Sequence, residues 1–182
     1  MLKLVRASRG GALLLFTSYR NMHRVYDYLR RHLGIDWPLM RQGEMGKQAL
    51  INWLQGTEGA VLCATASFWE GVDVPGDALR LVAIDKIPFA TPTPLERARA
   101  AAVQNPFYRL AIPEATLSLK QGFGRLIRTQ TDRGVVALLD PRLWVERWGV
   151  RILEALPDAA VVQSIGEVEA WYRAERVMEG AA

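Results

Sequence analysis

Residues Gln121 to Arg128, QGFGRLIR, carry the densest set of groups able to handle a phosphate. Arg125 and Arg128 offer planar guanidinium forks and Gln121 a carboxamide, a combination suited to oxyanions. Gly122 and Gly124 lie inside a segment with helical apolar spacing, where each costs about 1 kcal/mol relative to alanine. At about 100° per residue, Leu119, Phe123, Leu126 and Ile127 fall on one face, and Gln121, Gly124, Arg125 and Arg128 on the opposite one. One face packs. The other is a Cβ-free patch flanked by arginines, suited to a polyphosphate docked closely against the helix. An ordinary amphipathic helix with solvated arginines uses the same periodicity, but its glycines would bring it nothing.

Two further stretches have chemical potential. SFWEGVDVPG, Ser67 to Gly76, packs Glu70, Gly71 and Asp73 ahead of a Pro75–Gly76 turn. Such a loop can bring carboxylates and backbone N–H groups to a ribose, a phosphate or a neighbouring domain, and a plain surface turn uses the same residue types. Phe68 and Trp69 beside it read as core or interface residues ahead of a base-stacking platform. TSYR, Thr17 to Arg20, sets two hydroxyls at the end of an apolar run. His23 and His32 read as surface residues of the helix that follows.

The elements that must position these groups alternate. GALLLFTS reads as a buried strand, and the helix after it puts Met22, Val25, Leu29 and Leu33 on one face. PLMRQ is a short strand, KQALINWLQ a helix ended by Gly56, GAVLCAT a second clear strand and LRLVAIDKIPF a third. PFATPTP, Pro88 to Pro94, is excluded from helix, with a helix predicted from Leu95 to Gln104. The next helical run is predicted to be interrupted at Pro113. GVVALLD is the last strong strand, followed by one helical stripe of Trp144, Trp148, Ile152 and Leu156 and by a closing helix in SIGEVEAWYRAERVME. Continuous apolar strands between helices give an α/β fold, a mostly parallel sheet flanked by helices on both faces. Ligands of such sheets bind beyond the carboxyl ends of the strands, which directs attention to the loops named above.

Composition bounds the class. A chain of 182 residues, 50% hydrophobic and 23% charged, can bury a real core as one domain. With no run of eighteen apolar residues and no leader of signal-peptide type, the expectation is a cytoplasmic protein without a membrane partner. The single cysteine, Cys63, lies in an apolar strand and reads as a core thiol; alone it supports neither an intrachain disulfide nor a four-cysteine metal site. Net charge is only +4, but the basic residues are 19 arginines against four lysines. That bias fits phosphate handling, and a GC-rich genome would produce it equally.

TASFWEGVDVPG and QGFGRLIRTQTDRGVVALLDPR resemble motifs V and VI of the DinG and XPD-like branch of superfamily-two helicases, and GALLLFTSYRNM resembles motif IV. KIPFATPTP and NPFYRLAIPEATLSLKQGFGRLIR resemble the DinG connections between them. The likeness runs from about Gly11 to Arg142 in the family's order. It implies a second RecA-like motor domain (1–182, with the motif-bearing core about 11–142 and a C-terminal helical segment about 143–180), a fold of P-loop NTPase type without the P-loop. By position, Arg125 and Arg128 would be arginine fingers, with Gln121 and Gly124 shaping the contact with nucleotide. Glu70, Gly71 and Asp73 would link nucleotide to the DNA track. Thr17, Ser18 and Ser67 would bind single-strand phosphates, with Tyr19, Arg20, Trp69 and Phe89 as weaker nucleic-acid candidates.

The phosphate cradle itself is missing. GEMGKQ, Gly43 to Gln48, has two residues between its glycines where a P-loop needs four, and Gln48 where the hydroxyl belongs, so it reads as a turn opening a helix. GFGRLI has Ile127 at the third glycine position of a dinucleotide fingerprint, and there is no acidic box of DEAH type. The resemblance therefore implies that ATP and Mg²⁺ are used in a longer protein. The upstream RecA-like domain, expected before Met1, would carry the Mg²⁺ ligands, and this segment alone would be inactive. The implied setting is DNA repair or replication. Some family members carry an iron–sulfur domain and others an exonuclease domain, in either case outside this segment. A non-catalytic module binding single-stranded DNA or docking a protein would need Thr17 and Ser18 but not Arg125 or Arg128.

Overall fold

The computed structural model describes residues 1–34, 37–65, 68, 78–90, 92–126 and 133–179. Five apolar runs form its sheet: β1 (Ala12–Phe16), β2 (Leu39–Arg41), β3 (Val61–Thr65), β4 (Leu81–Ile84) and β5 (Val135–Leu138). All pairings are parallel, in the order β2-β3-β1-β4-β5. β1 is central, and all five of its residues are buried, as a strand covered on both faces requires. Successive side chains point to opposite faces, so the same strand feeds two cores. Leu13 and Leu15 join Leu62, Ala64, Val82 and Ile84 on one side; Ala12, Leu14 and Phe16 join Val61, Cys63, Leu81 and Ala83 on the other.

Helices cover both faces. α1 (Leu2–Ser8), α2 (Tyr19–Leu33) and α8 (Ile165–Glu179) close the face containing Cys63, through Val5, Met22, Leu29, Val168 and Tyr172. Burial pushes the Cys63 thiol well up from its ordinary pKa, in keeping with a core thiol. On the opposite face lie α3 (Lys47–Gly56), α5 (Ile112–Leu126) and α7 (Arg147–Ala155), contributing Leu50, Leu54, Ala115, Leu119 and Ile152. Met22 and Leu29 are fully buried and Val25 and Leu33 pack around them, as the helical spacing predicts. α3 starts at Lys47 behind Gly46, so the GEMGKQ segment is indeed a turn opening a helix.

Four elements differ from the sequence expectation. The α1 helix has no counterpart in it, because seven residues are too few to display a stripe. α4 (Pro94–Ala101) begins at Pro94 and ends before Gln104. Thr93 and Glu96 form a reciprocal capping box there, and a proline at the first helical position needs no N–H partner. Pro113 does not interrupt its helix. A π turn over Phe107–Ala111 runs directly into α5, with the Ile112 N–H donating to the Phe107 carbonyl. Such a wide turn leaves a carbonyl unpaired, which is compatible with a following residue that has no N–H.

The stripe of Trp144, Trp148, Ile152 and Leu156 belongs to two helices. α6 (Arg142–Val145) and α7 are separated by Glu146 in extended conformation. Trp148 and Ile152 are buried, whereas Trp144 is 56% exposed. The break lets α7 fold back onto α6: a Cβ at Gly149 would lie 2.1 Å from the Leu143 carbonyl oxygen, so only glycine fits that crossing.

Candidate functional site

Because every strand runs the same way, the ends at Phe16, Arg41, Thr65, Ile84 and Leu138 lie along one edge of the sheet. Thr17, Ser18 and the first residues of α2, Tyr19 and Arg20, sit in the middle of that edge, and all four are exposed. Ser18 caps α2: its Oγ accepts the Asn21 N–H at 3.3 Å, which leaves its own proton to donate outward. Thr17 donates its backbone N–H to Asp85 Oδ1 at 3.0 Å, and Asn21 Nδ2 donates to Asp85 Oδ2 at 2.7 Å. Asp85 is itself fixed, since its N–H donates to the Leu15 carbonyl at 2.9 Å. One carboxylate thus holds the backbone of the turn and the first turn of α2 together. The two hydroxyls thus stand on a backbone held by hydrogen bonds on both sides, from which each can donate to an oxyanion.

The neighbouring strand ends add polar groups. Gln42, just beyond β2, donates from Nε2 to the Tyr19 hydroxyl at 2.8 Å and accepts from the Thr65 N–H and hydroxyl, both at 2.8 Å. Beyond β5, Asp140 is almost fully buried and accepts the Ile87 N–H at 3.0 Å. It also pairs with Arg142 through Nε at 2.9 Å and Nη2 at 2.7 Å. Burial alone would raise the Asp140 pKa, but the hydrogen bonds from the Arg142 side chain and from the Ile87 and Arg142 N–H groups outweigh it. They hold the carboxyl below its ordinary value. Arg142 in turn covers the rings of Phe89 and Trp148, at 5.6 and 5.7 Å from their centroids. Phe89 packs against Phe107 and Trp148, at 5.3 and 5.2 Å between centroids, and so serves as a structural neighbour.

Of the eight residues read onto the two faces of α5, the described Leu119, Phe123, Gln121 and Gly124 separate as the helical wheel predicts; the side chains of Arg125 and Leu126, and Ile127 and Arg128, lie outside the described residues. Leu119 is fully buried, and Gln121 and Gly124 are exposed. A Cβ at Gly124 would meet nothing within 4 Å among the described residues. Gly122 is buried on the packed side, so the two glycines differ in role: one lies in the core, the other faces open space. Arg125 is in the helical backbone of α5. Arg128, Ser67, Trp69, Glu70, Gly71 and Asp73 lie outside the described residues. His23 is half-buried, with Nδ1 at 3.1 Å from Arg41 Nη1, and His32 is exposed, with Nδ1 at 2.7 Å from the Tyr28 carbonyl.

Sequence reasoning missed Asp85, Asn21, Gln42 and Asp140. For the two aspartates a signal existed, since each follows a parallel strand, where ligand-facing loops begin. For Asn21 and Gln42 there was none, because their partners are distant in the chain. Among the described residues no group of acidic, histidine or cysteine side chains could hold a metal ion, and no helix is long and apolar enough to cross a membrane.

Residues 1–159 match the family described as helicase C-terminal domain. The chain belongs to that family. It is 43% identical over 175 residues to the ATP-dependent DNA helicase YoaA of Haemophilus influenzae, a match covering 92% of this chain and 27% of that protein. It is also 35% identical over 173 residues to the 3′-5′ exonuclease DinG of Bacillus subtilis, covering 90% of this chain and 19% of that one. The chain therefore spans about a quarter or less of these curated relatives. A solved XPD helicase superposes with a TM-score of 0.60 at 22% identity, over 79% of this chain and 27% of its own, which supports the RecA-like reading of the fold. The likeness to DinG-type and XPD-like helicases implied by the sequence is thus borne out at the level of a helicase C-terminal domain.

Proposed function

We propose that this domain is the second motor half of an ATP-dependent DNA helicase of DinG type, working with an upstream RecA-like domain on single-stranded DNA in repair or replication. ATP lies between the two halves, and Mg²⁺ is held by the upstream one. Arg125 and Arg128 stabilise the charge that develops on the γ-phosphate, and Gln121 and Gly124 shape the approach. Glu70, Gly71 and Asp73 connect the nucleotide to the DNA track. Thr17, Ser18 and Ser67 donate to backbone phosphates, flanked by Tyr19, Arg20 and Trp69.

The observation that carries this reading is the match of residues 1–159 to the helicase C-terminal domain; the Thr17–Ser18 turn, two exposed hydroxyl residues on a backbone pinned by Asp85 at the carboxyl edge of the sheet, supports the strand contact that a binding module would share. Open space at Gly124 supports close approach of a ligand from outside the domain. The test is ATP hydrolysis by this domain alone and after mixing with the separately expressed upstream domain, with and without single-stranded DNA. Silence alone and strand-stimulated turnover on mixing are expected. If the halves associate but stay silent while this domain still binds single strands, a binding module is the better description.

The exonuclease name of the Bacillus relative favours a second reading, in which the same motor half serves a nuclease. Strand cleavage by the full-length protein that persists without ATP would select it.

A further inference from the structure

Thr65, the last residue of β3, sends both its N–H and its hydroxyl to one side-chain oxygen, Gln42 Oε1, each at 2.8 Å. At the other end of the same carboxamide, Nε2 donates to the Tyr19 hydroxyl at 2.8 Å. Gln42 is anchored as well as engaged, because its own N–H donates to the Cys63 carbonyl at 2.8 Å. Flipping the amide would turn Nε2 toward the Thr65 N–H, donor against donor, so the bonding partners fix a single orientation. Three separate strand ends thus meet at one side chain: β2 through Gln42, β3 through Thr65, and β1 through Tyr19, which follows Ser18 and opens α2.

We propose that Gln42 is a positioning residue that couples the Thr17–Arg20 turn to the end of β3, where the chain leads into the segment holding Glu70, Gly71 and Asp73. The inference rests on the reading of Thr17 and Ser18 as strand contacts. A phosphate drawn onto the turn loads the Tyr19 hydroxyl, and the carboxamide passes that displacement to Thr65. Only a group that donates at one end and accepts at the other bridges these partners in their present bonding. Asp85, on the far side of the turn, holds it against β4, so displacement is directed toward Gln42.

The test uses the full-length protein and an oligothymidylate as the strand. Amide hydrogen exchange is followed at residues 17–21 and at Thr65, together with strand-stimulated ATP turnover. In the unsubstituted protein the strand slows exchange at both places. Tyr19→Phe keeps the ring and removes only the hydroxyl; it leaves the slowing at 17–21 and abolishes it at Thr65. Maximal stimulated turnover falls roughly threefold to tenfold in Tyr19→Phe and in Gln42→Ala, and the double variant is no worse than Gln42→Ala alone. In Gln42→Ala the strand concentration for half-maximal stimulation moves by less than about twofold, which general loss of structure would not produce.

Retained slowing at Thr65 in Tyr19→Phe, or additive losses, would overturn the coupling while leaving the strand contact in place. Absence of slowing at 17–21 in the unsubstituted protein would overturn the strand contact and the coupling with it. Should Gln42→Ala fail to fold, Tyr19→Phe decides the matter by itself, since it deletes one hydroxyl from a side chain at the surface.

Discussion

The carboxyl edge of the sheet and the outer face of α5 are built in opposite ways. At the edge, Asp85, Gln42 and Asp140 tie consecutive strand ends together, and the two hydroxyls offered to solvent stand on a backbone already held. The outer face of α5 has an exposed glutamine and a glycine that meets no neighbour among the described residues. The first surface is organised by this chain itself, before any ligand arrives. Among the described residues nothing packs against the glycine that weakens the second, so its use is expected in a contact with a ligand or a partner domain.

The largest effect is expected from Arg128→Ala in the full-length protein. An arginine finger is worth roughly a thousandfold or more in turnover, so ATP hydrolysis should nearly vanish while strand binding largely persists. Unchanged hydrolysis would remove Arg128 from that role. Next in size is Asp85→Ala. It leaves a backbone N–H and an amide without their acceptor and should cost about 1–3 kcal/mol in chemical denaturation, with strand affinity falling alongside. A domain of undiminished stability would show that the edge is not held as described.

Thr17→Ala combined with Ser18→Ala should weaken strand binding more than ATP hydrolysis. The lost cap of α2 alone costs about 0.5–2 kcal/mol, so binding must be read at a temperature where both proteins are folded. If hydrolysis falls and binding does not, the turn serves the nucleotide instead. Gly124→Ala sharpens the contrast through opposite signs. The isolated domain should gain about 0.5–1 kcal/mol, because alanine is the better helix former and meets no neighbour among the described residues. The complete motor should lose turnover. A gain in both would leave the glycine without a ligand to explain it.

The smallest effect is on acid stability. The Asp140 pKa is held down in the folded domain, so its contribution is complete above the unfolded value of about 3.9 and is lost as pH falls through the lower folded value. Asp140→Asn should flatten that acid limb of the denaturation midpoint. An unaltered limb would mean that the Asp140–Arg142 pair titrates alike in both states.

Much of this arrangement was legible in the residues, and the exceptions share a cause. Strands and the helices from Tyr19 and Lys47 could be read because burial on a sheet or along a stripe imposes a local period. The single stripe predicted from Trp144 to Leu156 failed because a close crossing, enforced at Gly149 and Leu143, broke it into two helices. Pro113 misled for a related reason, since a π turn ahead of it absorbed the break that its missing N–H would otherwise cause.

By itself the sequence determined the five strands of a mostly parallel sheet, the buried Leu119 and exposed Gln121 and Gly124 of α5, the core position of Cys63 and the hydroxyl pair at the end of β1. Each follows from a pattern a few residues long. Only the tertiary structure decided that Asp85 holds Thr17 and Asn21, that Gln42 joins Tyr19 to Thr65 and that Asp140 joins Arg142 to Ile87. Most of these bonds connect residues about twenty to seventy positions apart, which become neighbours only when the strand order places β1 between β3 and β4 and β4 beside β5. Hydrogen bonding is directional and short-ranged, so such partners carry no signature along the chain until the sheet has set their distance.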